Sequence, residues 1–170
     1  MSEKSKNLGL KFVMVCVYIL SYIFLTFNLA QKNQKVNNIL IQAKESLDIS
    51  QASFLFFVVI IIIPFILLML LATYFFIKIL FKLFYKNEKE YNDQIFISLL
   101  LTNIVVNTLS LLFINFLSVP LVTLLMPILD FILFVYLFYS SNKNFQATKG
   151  LAIAKVILVV ANYVIGLVFS

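Results

Sequence analysis

The sequence predicts an all-α integral membrane protein: a bundle of five transmembrane helices, with an amphipathic extracytoplasmic segment after the first. Three observations carry that reading. The 170-residue chain is 63% hydrophobic and only 12% charged, against about half apolar and a quarter charged in soluble domains. Its mean hydropathy is +1.07. The apolar residues fall into runs long enough to cross a bilayer, for which about 20 residues suffice, separated by short polar stretches. A single membrane domain covering 1–170 is expected, with spans at about 12–30, 53–77, 95–116, 119–139 and 151–169.

The elements follow in chain order. Lys4, Lys6 and Lys11 precede the first apolar run, Phe12 to Ala30. Its length predicts an uncleaved span, as does Asn28, which stands where signal cleavage would need a small residue. In residues 31–52, Val36, Ile39, Leu40, Ala43 and Leu47 recur at helical spacing among Lys, Asn and Glu. That pattern predicts a short amphipathic helix lying along the membrane surface.

The second span, FLFFVVIIIIPFILLMLLATYFFI, is the most apolar stretch, and Pro64 should kink it or break it locally. It runs on as KILFKLFYK. Lys78, Lys82 and Lys86 then form a basic edge at i, i+4, i+8, with Lys89 beyond, suited to anionic headgroups or an acidic partner. NEKEYNDQ reads as a hydrophilic turn. The third span carries Asn103, Asn107 and Ser110 on one face, where polar side chains serve as interhelical hydrogen-bond glue. The brief turn from Asn115 to Pro120 makes spans three and four antiparallel neighbours. Span four contains Pro127 and Asp130; the polar loop NKNFQATKG follows, and span five carries Lys155 and Asn162.

All 13 basic residues are lysines. With the N-terminus cytoplasmic, ten of them (Lys4, Lys6, Lys11, Lys78, Lys82, Lys86, Lys89, Lys143, Lys149 and Lys155) fall on the inner side. Three (Lys32, Lys35 and Lys44) fall outside. The positive-inside rule therefore predicts a multi-pass cell-membrane protein with its N-terminus in and C-terminus out. The same placement ties the net charge of +6 to headgroups rather than to nucleic acid.

Asp130 lies deep inside an apolar run. A carboxylate there is costly and marks a functional-site hypothesis. At about 1.5 Å rise per residue, Asp130 lies roughly 14 Å from the inner end of its span and Asn107 roughly 18 Å from the start of its own. Asn162 is comparably deep, and Lys155 is shallower but long enough to reach. Asp130, Asn107, Asn103, Asn162 and Lys155 are therefore the candidate intramembrane polar cluster. The preferred reading is a polar core that fixes helix register; the functional one is a proton or cation relay.

No enzyme is expected. There is no HExxH, no GxSxG and no Gly-rich phosphate loop, and only three Gly and no His occur. Cys16 is the single cysteine, so neither an internal disulfide nor a cysteine metal site is available. No cofactor or metal is expected.

The segment PILDFILFVYLFYSSNKNFQATKGLAIAKVILVV resembles the bacterial branch of the Yip family, the Ypt/Rab-interacting-protein-like membrane proteins. There a polar residue and an aromatic open the fourth span, as Asp130 and Phe131 do here, and a short lysine-bearing loop leads into the last, as Asn142 to Lys149 do. The chain departs from the family in having NEKEYNDQ where a Gly-containing segment is usual, and Leu133 and Phe134 where Trp is often found. The resemblance implies a non-enzymatic protein that works by association. The leading expectation is thus an accessory or scaffold membrane subunit, with ABC-type efflux components as partners. The alternatives are a small transporter or substrate-binding subunit built on the Asp130 cluster, and an immunity protein against a membrane-active peptide.

Overall fold

The computed structural model describes residues 3–85 and 88–168, with side chains described for 7–85 and 90–164. The described residues form six helices: α1 (Glu3–Lys32), α2 (Gln34–Leu47), α3 (Gln51–Phe84), α4 (Asn92–Phe113), α5 (Val119–Asn142) and α6 (Phe145–Val168). A single 3-10 turn at Glu88–Tyr91 precedes α4. Among the described residues there is no strand. All helices except α2 are long and apolar enough to cross a membrane, so this is a multi-pass membrane protein with apolar helices against the bilayer.

Short polar residues set the boundaries. Asn33 breaks the chain between α1 and α2, and its side-chain oxygen accepts the Lys35 and Val36 N–H groups at 3.1 and 3.4 Å. That satisfies donors at the start of α2 which the helix itself leaves open. Asp48, with φ 48°, ends α2. Ser50 then caps α3 by accepting the Ser53 N–H at 3.2 Å. The amphipathic segment is thus a 14-residue helix with no buried residue. The helical assignment of α3 is continuous through Pro64. Its 34 residues measure about 51 Å, well beyond the roughly 30 Å of a hydrocarbon core.

The membrane helices pack as a ring in the order α1, α4, α5, α6, α3, with α3 returning to both α1 and α4. α4 presents the longest roll of buried residues, from Ile95 to Ser110. α1 runs parallel to it and is tied at both ends. Lys11 Nζ lies 2.8 Å from Asp93 Oδ1, and Lys32 Nζ donates to the Ile114 carbonyl at 2.5 Å. Both pairs are separated by 21 residues along their helices, about 31 Å of rise. The two lysines therefore sit one bilayer thickness apart, the second satisfying an orphan carbonyl at the end of α4.

At the Lys11 end, α3, the 3-10 turn and the α5–α6 hairpin meet in an aromatic knot. Phe81 stacks on Tyr85 with centroids 5.4 Å apart and meets Phe138 edge-on at 6.2 Å. Asn144 donates to the Tyr85 and Tyr91 hydroxyls at 3.2 and 3.0 Å. It also caps α6, its side-chain oxygen accepting the Ala147 N–H at 3.1 Å. The hydrogen bond with Tyr85, and then burial, raise the Tyr91 hydroxyl pKa above the ordinary tyrosine value. Lys143, with φ 55°, turns the chain. The stretch NKNFQATKG, expected as a loop, is thus helical except at Lys143 and Asn144.

α6 approaches α3 through small residues. Ala147 and Ala154 are wholly buried, and a Cβ on Gly150 would stand 3.4 Å from the Cβ of Phe84. Lipid provides no hydrophobic drive between helices, so close backbone approach of this kind is what holds them. Gly150→Ala is expected to be tolerated. Gly150→Leu overpacks the seam and should lower the unfolding free energy by about 1–3 kcal/mol, read from reversible unfolding in bicelles. Equal stability of the two variants would refute the close seam.

Candidate functional site

The α5–α6 hairpin brings the two intramembrane charges together. Asp130 Oδ2 lies 2.6 Å from Lys155 Nζ, with side chains 18% and 4% exposed. Lys155 Nζ also lies 5.0 Å from the centroid of the Phe134 ring, a cation–π contact one turn along α5 from its partner. Asp130 Oδ1 is buried and accepts no hydrogen bond among the described residues.

The pair forms the floor of a cavity of about 660 Å³ between α3, α4, α5 and α6. Polar groups on its wall are Thr73, Asn103, Thr123, Asn162 and Tyr163; Val106, Met126, Pro127, Leu158 and Val159 supply apolar surface. On α5 the wall runs from Asp130 to Thr123, and on α6 from Lys155 to Tyr163, about 10–12 Å toward the Lys32 end. Thr123, Asn162 and Tyr163 are exposed at that end. Below the pair the bundle is closed: Ile77, Phe81, Phe134, Phe138 and Leu151 have no exposed surface.

Registers measured from the knot explain who meets whom. Thr73 lies 11 residues from the end of α3, Asn103 11 from the start of α4, Asp130 12 from the end of α5 and Lys155 10 from the start of α6. All four stand at one level, about 15–18 Å deep. Counting from the shorter expected spans placed Lys155 too shallow, because both helices of the hairpin run on into the polar stretch. Asn162 lies nearer the mouth and joins the wall.

Asn107 does not join it. The expectation that Asn107 shares the Asp130 cluster is corrected: it lies one turn beyond Asn103 and faces α1, donating to Ser21 Oγ at 3.1 Å. Ser21 in turn donates to the Tyr18 carbonyl at 2.8 Å. Asn107 is therefore glue between α1 and α4. Asn103 directs one amide N–H to the Leu99 carbonyl at 2.8 Å while lining the cavity.

The basic edge is described in part. Lys78 is half-buried and Lys82 exposed; they lie one turn apart near the end of α3, with Phe81 turned inward between them. Lys86 and the side chain of Lys89 lie outside the described residues. Thr73, Thr123 and Tyr163 were missed by sequence reasoning. Thr73 was hidden because the expected span ended at 77, whereas α3 runs to Phe84 and so brings Thr73 level with Asp130.

Comparison with protein-family models, with curated proteins and with solved structures gives no match to this chain.

The Asn107–Ser21 bond predicts coupling between the two positions. Asn107→Leu and Ser21→Ala should each cost about 0.5–1.5 kcal/mol, and the double variant no more than the worse single one. Strictly additive losses in bicelle unfolding would show that the two side chains do not bond.

Proposed function

We propose that the chain is a non-enzymatic cell-membrane protein that binds a small ligand within its helical bundle, as a substrate-binding subunit or small transporter. The carrying observation is the cavity with a charged floor and a closed base. Its volume falls within the range of small-molecule sites, and a few polar groups converge on a mainly apolar wall, as such sites require. A paired Asp and Lys at membrane depth have few reasons to be retained other than register and function. The sealed half beneath Phe134 favours a bound ligand over a continuous pore.

The lysine distribution complements this reading. With Lys155 drawn into the bundle by Asp130, nine lysines remain assigned inside and three outside; on that bias the N-terminus is cytoplasmic, the knot faces the cytoplasm and the cavity opens outward. Lys78 and Lys82 then meet anionic headgroups of the inner leaflet. α2, with Ile39 and Leu47 exposed at 63% and 52%, lies on the outer surface.

A second reading, the accessory or scaffold subunit implied by the Yip-like pattern, is favoured by a different feature. α3 exposes Phe75, Phe76, Ile79 and Leu83 around Lys78 and Lys82, a face suited to another membrane protein such as an ABC-type exporter subunit.

Filling the cavity separates the two. Protein purified gently from its native membrane should carry a small molecule visible by native mass spectrometry, and Thr123→Trp, which blocks the mouth, should lose it. If neither protein carries a ligand and both recover the same transporter subunits, the binding reading fails and the accessory one replaces it.

A further inference from the structure

We infer that a notch beneath α2 seats the headgroup of a zwitterionic phospholipid with a primary amine, phosphatidylethanolamine, from the leaflet at the Lys32 end. The notch is separate from the intramembrane cavity, and the inference does not depend on what that cavity holds. It encloses about 240 Å³ where the end of α1, α2 and the start of α3 meet. The way α2 is mounted explains the gap. Capped by Asn33 and ended at Asp48, α2 buries none of its 14 residues, so it spans from α1 to α3 without closing on either.

Depth sorts the lining. Phe27 stands five residues before Lys32, about 7–8 Å deeper at the helical rise, and Phe54 and Leu55 of α3 complete this apolar floor. Gln31, Asn37 and Gln51 form the rim with Lys44 and Glu45 of α2. Because Lys32 marks one edge of the bilayer, the floor meets glycerol and acyl carbons. The rim meets the headgroup layer, about 5–8 Å thick on each side. Charge then selects the lipid. Lys44 and Glu45 bring one cation and one anion to the rim, and neither side chain has an ion pair or hydrogen bond among the described residues. Adjacent helical residues do not face each other, so the two do not neutralise one another. A phosphodiester on Lys44 and an ammonium on Glu45 satisfy both. An anionic headgroup leaves Glu45 against negative charge. Choline matches the charge but has no N–H to donate, whereas the ethanolamine ammonium donates to the carboxylate and to the Gln31 and Gln51 side-chain oxygens. A water-soluble zwitterion would leave the apolar floor bare.

The test is native mass spectrometry of the full chain released from nanodiscs holding equal mole fractions of phosphatidylethanolamine, phosphatidylcholine and phosphatidylglycerol. Retained phosphatidylethanolamine should exceed each of the others by about threefold, the factor expected of one partly exposed charged contact. Glu45→Lys removes the anion from a helix with no buried residue, and should turn the order toward phosphatidylglycerol. Glu90→Lys makes the same charge change on the exposed 3-10 turn at the opposite end and should keep the wild-type order. Thr123→Trp, which blocks the mouth of the intramembrane cavity, should keep it as well.

Equal retention of the three lipids by the wild type, or a preference for phosphatidylcholine or phosphatidylglycerol, overturns the inference. A shift in Glu45→Lys no larger than that in Glu90→Lys reflects net charge alone and overturns it too. Loss of the phosphatidylethanolamine preference in Thr123→Trp places the lipid in the intramembrane cavity and removes the notch as its seat.

Discussion

An unscreened carboxylate cannot remain in a lipid-embedded bundle unless something holds its charge, and Asp130 is held by Lys155 at 2.6 Å. Each ion makes the other tolerable: removing water from one alone costs several kcal/mol, and the bilayer offers no substitute. The pair therefore dictates how α5 and α6 lie. They pack as an antiparallel hairpin whose register brings residues 12 and 10 positions from the turn to one level. The turn itself, Lys143 and Asn144, is built to deliver that register. A left-handed residue reverses the chain, and an asparagine caps the next helix while gripping two tyrosines from elsewhere.

The remainder of the bundle divides at the level of the pair. Toward the knot, phenylalanines, isoleucines and small α6 residues close without a gap, as dry helix packing in lipid demands. Toward the Lys32 end, Pro127 and Thr123 on α5 and Asn162 on α6 line the open part of the cavity. α1 takes little part in the cavity. It is bound to α4 along its length through end ties and the Asn107–Ser21 bond, and so fixes the helix on which α5 and α3 pack. A site that is closed below, open above and charged at its floor is the geometry on which the proposed ligand binding rests.

Much of this was legible in the sequence. Long apolar runs separated by lysine clusters are enough to place five spans, because the bilayer imposes their length. The amphipathic helix was visible from Val36, Ile39, Leu40, Ala43 and Leu47. Asp130 and Lys155 were singled out by the cost of charge in an apolar run. What the sequence did not reveal was direction around each helix. Asn103 and Asn107 are one turn apart and chemically identical, yet one lines the cavity and the other faces α1. The polar stretch after Tyr139 read as a loop because hydrophilic residues usually end a span. Here they continue α5 to Asn142 and begin α6 at Phe145, because the hairpin needs those turns to reach the knot. Gly150 and its alanine neighbours carried a packing signal that hydropathy alone does not register.

The most direct test of the account is a double-mutant cycle on Asp130→Leu and Lys155→Met, read as unfolding free energy in bicelles. Each single change leaves one uncompensated charge and should cost about 3–5 kcal/mol. The double change leaves an apolar contact and should cost far less than the sum, with a coupling energy of at least about 2 kcal/mol. Losses that add within about 0.5 kcal/mol would mean that the two charges do not meet, and the floor of the cavity would have to be redrawn.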